Sequence, residues 1–268
     1  RARMPAGLRP TSRPGWGGSG VAPVRREAFW NACASAYDAL IAFEPYRQTL
    51  EQVARALPPV PPTPLALDAG AGTGNLALLL GRRGFNVVGI DSSPAMLALA
   101  ERKRRRAGLG CVHFLRADLE GPLPFPDGAF DYVVSVHALH LLNNRAAALR
   151  ELRRILKDGG TLAISDLVRP VCATRAIRDG VRREGWRRTA ATCVRLAPLL
   201  PFLALLNGGL HRRERTQAEL TEELASAGFE VESVAQAYAA DSARLAVCRK
   251  AATAPDAPRH EARVAVWR

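Results

Sequence analysis

Residues 65–80 read LALDAGAGTGNLALLL. An apolar run is followed by glycines at the alternating positions Gly70, Gly72 and Gly74, and then by a second apolar segment. A glycine-rich turn between a strand and a helix lets the backbone approach a bound nucleotide closely. The stretch therefore predicts a nucleotide-binding strand–turn–helix unit, and it leaves open which cofactor the turn holds.

Two common nucleotide motifs are missing from this turn. The dinucleotide fingerprint G-x-G-x-x-G requires a third glycine at the position that Asn75 occupies. The phosphate-binding pattern G-x-x-x-x-G-K-[ST] does not occur anywhere in the sequence. We therefore expect neither a dinucleotide nor a nucleoside triphosphate as the ligand.

Strand-like and helix-like segments alternate along the middle of the chain. Strands are predicted at 65–69, 86–90, 111–115, 131–136 and 161–167. Helices are predicted at 74–83, 94–107 and 146–156. Near the end, a helix capped by Thr216 precedes two further strands joined as a hairpin. The pattern predicts an α/β fold with a doubly wound, mostly parallel seven-stranded sheet, helices on both faces and a C-terminal antiparallel hairpin.

The domain organisation follows from length and composition. At 268 residues the chain is long enough for one large α/β domain with flanking segments. We expect this domain over 25–250, between a disordered leader at 1–24 and a disordered tail at 251–268. The leader has positive charge but no apolar core, so we expect no signal peptide in it. The parts of the domain are N-terminal helices at 25–57, a cofactor core at 65–168, a helical substrate lid at 169–215, and a terminal helix with hairpin at 216–250.

Composition limits the partners and the compartment. The net charge of +13 suggests nucleic acid, but three lysines stand against thirty-five arginines, a skew that also follows from a G+C-rich genome. Nucleic acid is therefore not an expected partner. The five cysteines are scattered without a C-x-x-C pair, which argues against a zinc site and a disulfide framework. We expect no metal and a cytoplasmic protein with reduced thiols.

Three carboxylates accompany the predicted strand ends. Asp68 lies at the end of the first strand, Asp91 ends the second and Asp118 follows the third. Asp91 is placed to accept hydrogen bonds from a ribose diol, and Asp118 from an exocyclic amine such as adenine N6. No lysine or arginine is expected among them, which suits a cofactor with cationic groups and hydroxyls better than a pyrophosphate.

At this point several motifs agree in order and spacing with a known family. The segments LDAGAGTGNLALLL, VVGIDSSPAMLALA, FLRADLEGPLPFPDGAFDYVVSVHALHLL and LRELRRILKDGGTLAISD resemble the class I S-adenosylmethionine-dependent methyltransferases. The resemblance is greatest to the group with the quinone-biosynthesis C-methyltransferases and many small-molecule methyltransferases. It covers about residues 35–168. It implies a Rossmann-like methyltransferase fold and S-adenosyl-L-methionine as the cofactor.

The resemblance also implies the cofactor-binding residues. These are Tyr37, Asp68, Gly70, Ala71, Gly72, Asp91, Ser92, Met96, Ala117, Asp118, Leu119 and Ser135. The first glycines and Asp68 would line the methionyl part, while residues 117–119 would read the edge of the adenine. Met96 would pack on the adenine face, with a core position as the alternative. Tyr37 would meet the cofactor carboxylate, with a packed aromatic ring as the alternative, and residues 135–137 would lie near the sulfonium.

Three side chains are candidates for a general base. His137 and His140 follow the fourth strand, and Asp166 lies near the end of the fifth. Neighbouring parallel strands bring these ends together, and a histidine titrates near neutral pH. Two alternatives stay open: one histidine caps the loop while the other packs against a helix, or the reaction needs no protein base.

The predicted lid divides into a basic and an apolar part. The basic part carries Arg175, Arg178, Arg182, Arg183, Arg187 and Arg188. The apolar part, Leu196–Leu210, contains two prolines and is shorter than the ~20 residues that cross a bilayer. We expect either a buried lid packed on the sheet, or an interfacial element over 175–210 that contacts a membrane peripherally. Both favour a small, lipophilic methyl acceptor.

The resemblance therefore implies an enzyme that methylates O, C or N of such an acceptor by in-line displacement. Two alternatives remain. One is an RNA methyltransferase, although Trp186 is the only aromatic residue beside the basic part. The other is an S-adenosylmethionine-binding protein without catalytic activity.

Overall fold

The computed structural model describes residues 21–38, 41, 43–58, 62, 64–168, 173–197, 216–237 and 242–251. The first helix already begins at Val21, so the leader expected over 1–24 is too long at its C-terminal end. The remainder of the leader, most of the apolar run Leu196–Leu210 and nearly all of the tail lie outside the described residues.

Seven strands form one sheet. They are β1 (Leu65–Ala69), β2 (Asn86–Asp91), β3 (Val112–Arg116), β4 (Phe130–Val136), β5 (Leu156–Leu167), β6 (Phe229–Ala237) and β7 (Ala243–Lys250). The order across the sheet is β3-β2-β1-β4-β5-β7-β6. The first five strands are parallel, while β7 runs antiparallel to both β5 and β6. This arrangement confirms the expected fold class, including the antiparallel hairpin.

The helices of the described residues lie before, between and after these strands. They are α1 (Val21–Asp38), α2 (Glu44–Ala56), α3 (Asn75–Arg82), α4 (Pro94–Arg106), α5 (Arg145–Ile155), α6 (Ala173–Glu184), α7 (Trp186–Leu196) and α8 (Gln217–Ser226). The capping of α8 confirms the expectation for Thr216, whose hydroxyl accepts from the backbone N–H of Glu219 while the Glu219 carboxylate accepts in return. No helix within the described ranges is long and apolar enough to cross a bilayer.

The sheet is buried on both faces, as a parallel sheet must be. On β1, Leu67 and Ala69 pack into one apolar cluster, whereas Ala66 packs into the other. The first cluster includes α5 and α8, and the second includes α2 and α3. This alternation explains why the β1 sequence is almost continuously apolar.

One strand differs from its expected bounds. β5 begins at Leu156 rather than at residue 161, because Leu156 pairs with Phe130 before the register of β4 and β5 shifts. The intervening KDGG segment is polar and glycine-rich, and such a composition predicts a turn. The extended start of β5 is also held by Lys250, whose ammonium donates to the carbonyl of Leu156 over 2.7 Å.

The sheet topology places a site at its centre. β1 pairs with β2 on one side and with β4 on the other. The strand order therefore reverses at β1, and the crevice beyond the carboxyl ends of these strands is where open α/β sheets bind ligands.

Candidate active site

An open cleft lies at this switch point, with a volume of about 620 Å³ that includes space open to solvent. The cleft is lined by Trp30, Tyr37, Gly70, Gly72, Asp91, Ser92, Met96, Ala117, Asp118, Leu119, Val136, His137, Ala138, Leu141 and Leu142. Most of the predicted cofactor-binding residues are therefore brought together here.

The glycine turn forms the floor of the cleft. Gly70, Gly72 and Gly74 have φ angles of +78°, +53° and +79°, the region that residues with a Cβ rarely adopt. A Cβ on Gly70 would also lie 2.4 Å from the Cβ of Ala138. The turn therefore needs glycine at position 70 for its backbone angle and for the close approach of the chain after β4.

Asp91 connects this turn to the end of β2. Its Oδ2 accepts from the backbone N–H of Gly72 and its Oδ1 from that of Ser93, each over 2.9 Å. Burial raises the pKa of the Asp91 carboxyl, and these backbone donors partly oppose the rise. The cap of α4 is Ser93, whose hydroxyl accepts from the N–H of Met96. Asp91 is thus free of the capping role and lines the cleft.

Asp68 is placed differently from the expectation. Its Oδ2 accepts from the backbone N–H of Ala77 over 3.0 Å, in the first turn of α3, and the residue is buried behind the glycine turn. Burial raises the pKa of its carboxyl to about 7. Asp68 does not line the cleft, because its position one residue before the end of β1 directs it toward α3. The prediction that it lines the methionyl part needs this correction.

Two more predicted residues lie behind the cleft surface. The hydroxyl of Ser135 donates to the carbonyl of Ala69 over 2.9 Å and is buried between β1 and β4. The backbone N–H of Ala71 donates to Ile90 over 2.8 Å, and Ala71 is not among the lining residues. Both residues hold the neighbouring strand ends together rather than face the cleft.

The predicted adenine end is present in the cleft wall. Met96, Ala117, Asp118 and Leu119 all line it, and Met96 is 2% exposed, so its cleft and core positions are compatible. Asp118 lies two residues beyond the end of β3, where its Oδ1 accepts from the backbone N–H of Glu120. An apolar wall with one acceptor at its rim suits a purine edge.

Helix α1 forms an aromatic roof that the sequence analysis only partly identified. Tyr37 lines the cleft as expected, and Trp30 lines it as well, with the two rings packed edge to face at 5.8 Å. Asn31 anchors the helix, because its Oδ1 accepts from the hydroxyl of Ser93 over 2.7 Å. The signal for Trp30 was its spacing of seven residues from Tyr37, which places both rings on one helix face.

Cations lie closer to the turn than the sequence analysis expected. The ammonium of Lys103 pairs with Asp38 and donates to Asn75 over 2.7 Å and to Thr73 over 3.1 Å. Arg116 pairs with Glu27 on α1. Neither cation is among the residues that line the cleft, so the lining itself carries carboxylates without lysine or arginine.

His137 is the one base candidate that lines the cleft. Its φ angle of +54° is unusual for a residue with a side chain, and its backbone N–H donates to the carbonyl of Ser165 over 2.8 Å. Its ring lies 6.1 Å from that of Tyr46. Such backbone strain persists only where surrounding contacts enforce it, and it often marks functional positions.

Asp166 and His140 do not line the cleft and form a buried cluster. Asp166 Oδ1 lies 2.7 Å from His140 Nδ1, and the other oxygen of Asp166 pairs with Arg145. Burial alone would raise the pKa of Asp166, but His140 and Arg145 outweigh it and hold this pKa well below its ordinary value. Asp166 is therefore a poor proton acceptor, and the prediction of a base role for it is wrong on these contacts.

The other wall of the cleft is apolar. Val136, Ala138, Leu141 and Leu142 line it, all at or just after the end of β4. The sequence placed Val136 near the sulfonium within the range 135–137, but it did not single out Ala138, Leu141 and Leu142, since apolar positions after a strand are equally typical of the core. No cluster of metal-ligating side chains occurs in the described part of the chain.

The predicted lid is described only over α6 and α7. Ile177, Val181, Trp186 and Val194 are exposed there, and Thr189 is buried. The guanidinium of Arg187 lies over the ring of Trp186 at 5.5 Å. Within these two helices, the expectation of a lid buried against the sheet is therefore wrong.

Comparison with known proteins agrees with this geometry. Residues 67–164 match the family described as a methyltransferase domain. Over 106 residues the chain is 46% identical to a demethylmenaquinone methyltransferase of Thermus thermophilus, which covers 39% of this chain and 47% of that protein. Over 110 residues it is 36% identical to a ubiquinone/menaquinone biosynthesis C-methyltransferase of Vibrio vulnificus, which covers 39% of this chain and 42% of that protein. The chain thus matches less than half the length of these curated relatives.

Solved structures show the same fold over more of the chain. An S-adenosylmethionine-dependent methyltransferase from Aquifex aeolicus superposes with a TM-score of 0.55 at 19% identity, over 82% of this chain and 98% of that chain. The shared fold therefore extends beyond the matched residues 67–164.

Proposed function

We propose that residues 67–164, which match a methyltransferase domain, form the core of a class I S-adenosylmethionine-dependent methyltransferase, and that the protein methylates a small, lipophilic acceptor of the quinol type. The observation that carries the proposal is the composition of the cleft. Carboxylates and aromatic rings line its cofactor end without a lysine or arginine, and apolar residues line its other end.

The lining residues fit S-adenosylmethionine. Asp91 provides carboxylate oxygens at the end of β2 for the ribose hydroxyls, and Asp118 provides an acceptor for the adenine amine. Trp30 and Tyr37 line the cleft, and the face of an aromatic ring attracts a cation such as a sulfonium or an ammonium. The same carboxylates would repel a pyrophosphate. This repulsion favours S-adenosylmethionine over adenosine cofactors that contain a pyrophosphate.

The acceptor is inferred from the apolar wall and from the relatives. Val136, Ala138, Leu141 and Leu142 offer no charged group to a polar substrate. The two relatives are named for demethylmenaquinone and for quinone C-methylation. A ring carbon of a quinone is electron-poor, so the nucleophile must be the reduced form, a quinol with an electron-rich ring.

The role of the protein is to orient, to exclude water and to accept a proton. When bound, the cofactor supplies an electrophilic methyl group whose bonding electrons to sulfur stay on the sulfur. In this proposal His137, which lines the cleft, takes the proton that the acceptor carbon loses once its new C–C bond has formed. Alignment of the acceptor by the apolar wall also lowers the activation barrier, since orientation effects reach about 7–11 kcal/mol in favourable cases.

The exposed lid helices support a peripheral contact with an anionic membrane surface. Ile177, Val181, Trp186 and Val194 are exposed on α6 and α7. The same helices carry Arg178, Arg182, Arg183, Arg187 and Arg188 against the acids Asp179 and Glu184. Apolar side chains inserted between lipid head groups, with arginines meeting the anionic phosphates, are typical of interfacial helices. A lipophilic quinol would then reach the cleft from the bilayer.

Two alternative functions, an RNA methyltransferase and a cofactor-binding protein without activity, agree less well with the described residues. An RNA acceptor would need exposed aromatic rings beside a basic stripe, and of the described residues there Trp186 alone qualifies. A binding protein without activity would not require the strained His137 in the cleft.

The experiment that tests the proposal uses the full chain with methyl-labelled S-adenosylmethionine. The acceptor probe is a demethylmenaquinone with a short isoprenoid chain, kept as the quinol by a chemical reductant. We expect label in the quinol and none in the oxidised quinone. Label in transfer RNA instead, or cofactor binding without transfer to any quinol, would overturn the acceptor assignment.

A further inference from the structure

The apolar wall of the cleft is attached to a buried network of charged side chains. The wall segment follows β4, and His137, Ala138, Leu141 and Leu142 of this segment line the cleft. His140 lies in the middle of the segment without lining the cleft, and its side chain is 7% exposed. The wall segment is therefore held from inside the protein by the buried Leu139 and by a polar anchor, His140.

Asp166 holds that anchor through a single carboxylate oxygen. Its Oδ1 accepts from the backbone N–H of His140 over 3.2 Å and lies 2.7 Å from the ring Nδ1 of His140. An ionised carboxylate only accepts hydrogen bonds, so the Nδ1 of His140 carries the proton. Both the path of the wall segment and the orientation of the ring thus depend on where Asp166 is held.

Arg145 fixes Asp166 and extends the network to the terminal helix. One nitrogen of its guanidinium pairs with the second oxygen of Asp166. The remaining two nitrogens hold the carboxylate of Glu223 on α8, over 2.8 and 2.9 Å. Arg145 is 6% exposed and the side chain of Glu223 is 22% exposed, and a bidentate pair of this kind is both strong and geometrically specific.

The four residues come from four separate elements. His140 lies in the wall segment, Asp166 near the end of β5, Arg145 at the start of α5 and Glu223 on α8. The packing of the apolar core alone would hold α8 against the sheet through Leu220 and Leu224. A line of buried charges that ends on the wall segment is not needed for that purpose, and it costs desolvation.

We propose that Asp166, Arg145 and Glu223 are positioning residues for the acceptor, which act through His140 on the wall segment 137–142. The inference rests on the proposed function, because it assigns this wall to the acceptor. The cofactor end of the cleft contacts none of these three side chains. Loss of the network therefore shifts His137 and the apolar wall relative to the acceptor, and leaves the binding of the cofactor unchanged.

The test compares Glu223→Gln with Glu222→Gln in the full chain. Glu222 is the adjacent exposed residue on α8, which makes it a matched control for the charge removed. We expect Glu223→Gln to lower kcat/KM for the short-chain demethylmenaquinol by about tenfold, with the Kd of S-adenosylmethionine within about twofold of the wild type. Glu223→Asp, measured in parallel, keeps the charge, is expected to retain most of the activity, and serves as the test if the glutamine variant does not fold.

A double-mutant cycle separates positioning from a merely structural effect. His140→Asn and Glu223→Gln are combined, and kcat/KM for the same quinol is measured for both single variants and the double variant. If Glu223 acts through His140, the double variant loses about as much as the worse single variant, rather than the product of the two losses. A purely structural role predicts independent losses and a cofactor Kd that weakens in parallel.

Three outcomes would overturn the inference. The first is that the wild type is active and Glu223→Gln has the same kcat/KM for the quinol as Glu222→Gln. The second is that the loss of kcat/KM in the double variant equals the product of the two single losses. Both leave the proposed function intact. The third is a wild type that binds the cofactor and methylates no quinol, which overturns the proposed function and this inference together.

Discussion

The backbone N–H of Gly72 donates to Oδ2 of Asp91 across 2.9 Å, so the glycine turn after β1 and the acid that ends β2 form one unit. The same carboxylate lines the cleft. Its two functions, shaping the turn and meeting the cofactor, should therefore be lost together.

Replacing Asp91 with alanine is expected to weaken both cofactor binding and the fold. The backbone donors of Gly72 and Ser93 lose their acceptor, and leaving buried donors unsatisfied costs about 1–3 kcal/mol. Calorimetry should show at least a tenfold rise in the Kd of S-adenosylmethionine, and urea unfolding a lower free energy. Asp127→Ala, at a side chain that is 81% exposed, should leave the Kd unchanged. An unchanged Kd in the Asp91 variant would remove this residue from the cofactor site.

Alanine at Gly70 is expected to be far more harmful than alanine at Gly108. Both glycines have positive φ angles, +78° and +66°, so both variants carry the backbone cost of about 1–2 kcal/mol. Only at Gly70 would the new Cβ also lie 2.4 Å from Ala138, whereas nothing lies within 4 Å at Gly108. Thermal unfolding should rank the two variants in this order. Adding Ala138→Gly to Gly70→Ala should recover part of the loss, and no recovery would contradict the contact.

The stability of the protein should depend on Asp68 between about pH 4 and pH 7. Burial raises the pKa of this carboxyl from its ordinary 3.8 to about 7, so the folded protein favours the protonated form. The stabilisation is present at low pH and is lost as the pH rises through the folded pKa. Asp68→Asn should therefore gain stability relative to the wild type as the pH rises from 4 to 8, as measured by urea unfolding. A difference that does not vary with pH would contradict the shift.

Fluorescence of Trp30 should report cofactor binding. Trp30 lines the cleft, whereas Trp186 is 67% exposed on α7. Addition of S-adenosylmethionine should change the emission of the wild type and of Trp186→Phe, and this change should be absent from Trp30→Phe. The aromatic roof would be misplaced if Trp30→Phe retained the full signal.

Vesicle flotation should detect the contact between the lid helices and anionic lipid. The wild type is expected to float with phosphatidylcholine vesicles that contain phosphatidylglycerol and to dissociate as salt is added. The double variant Trp186→Ser, Val194→Ser should bind at least tenfold more weakly, since about 0.8 kcal/mol is lost per CH₂ group withdrawn from the membrane. Ile41→Ser, at an exposed apolar residue outside these helices, is the control. Equal binding to neutral vesicles would contradict the proposed attraction between the arginines of these helices and anionic lipid.

The fold could be predicted from the sequence because its local signals agree with one another. The glycine turn, the acids after the strands and the alternation of apolar segments all predict one doubly wound sheet, and the structure has it. The start of β5 differs from the expected residue 161, since KDGG has the composition of a turn, whereas the preceding Leu156 already pairs with Phe130 and accepts from the ammonium of Lys250. Pairing with neighbouring strands overrides the local conformational preference at such a strand end.

The site was less accessible to sequence reasoning, and the reason is geometric. Asp68 and Asp91 both occur near the ends of strands, yet one residue of offset sends Asp68 under α3 and leaves Asp91 in the cleft. His137 and His140 are likewise three residues apart, and the positive φ angle of His137 determines which of them lines the cleft. The partners Arg145 and Glu223 are 78 residues apart, so no local pattern connects them.

We propose that the protein binds S-adenosylmethionine in this cleft and methylates a quinol held against the apolar wall. The most direct measurement is transfer of labelled methyl to the short-chain demethylmenaquinol, followed by mass spectrometry of the product. We expect one methyl on a ring carbon, dependence on the reduced acceptor, and loss of transfer in Asp91→Ala. Labelled product on a nucleic acid, or saturable cofactor binding with no labelled quinol, would contradict it.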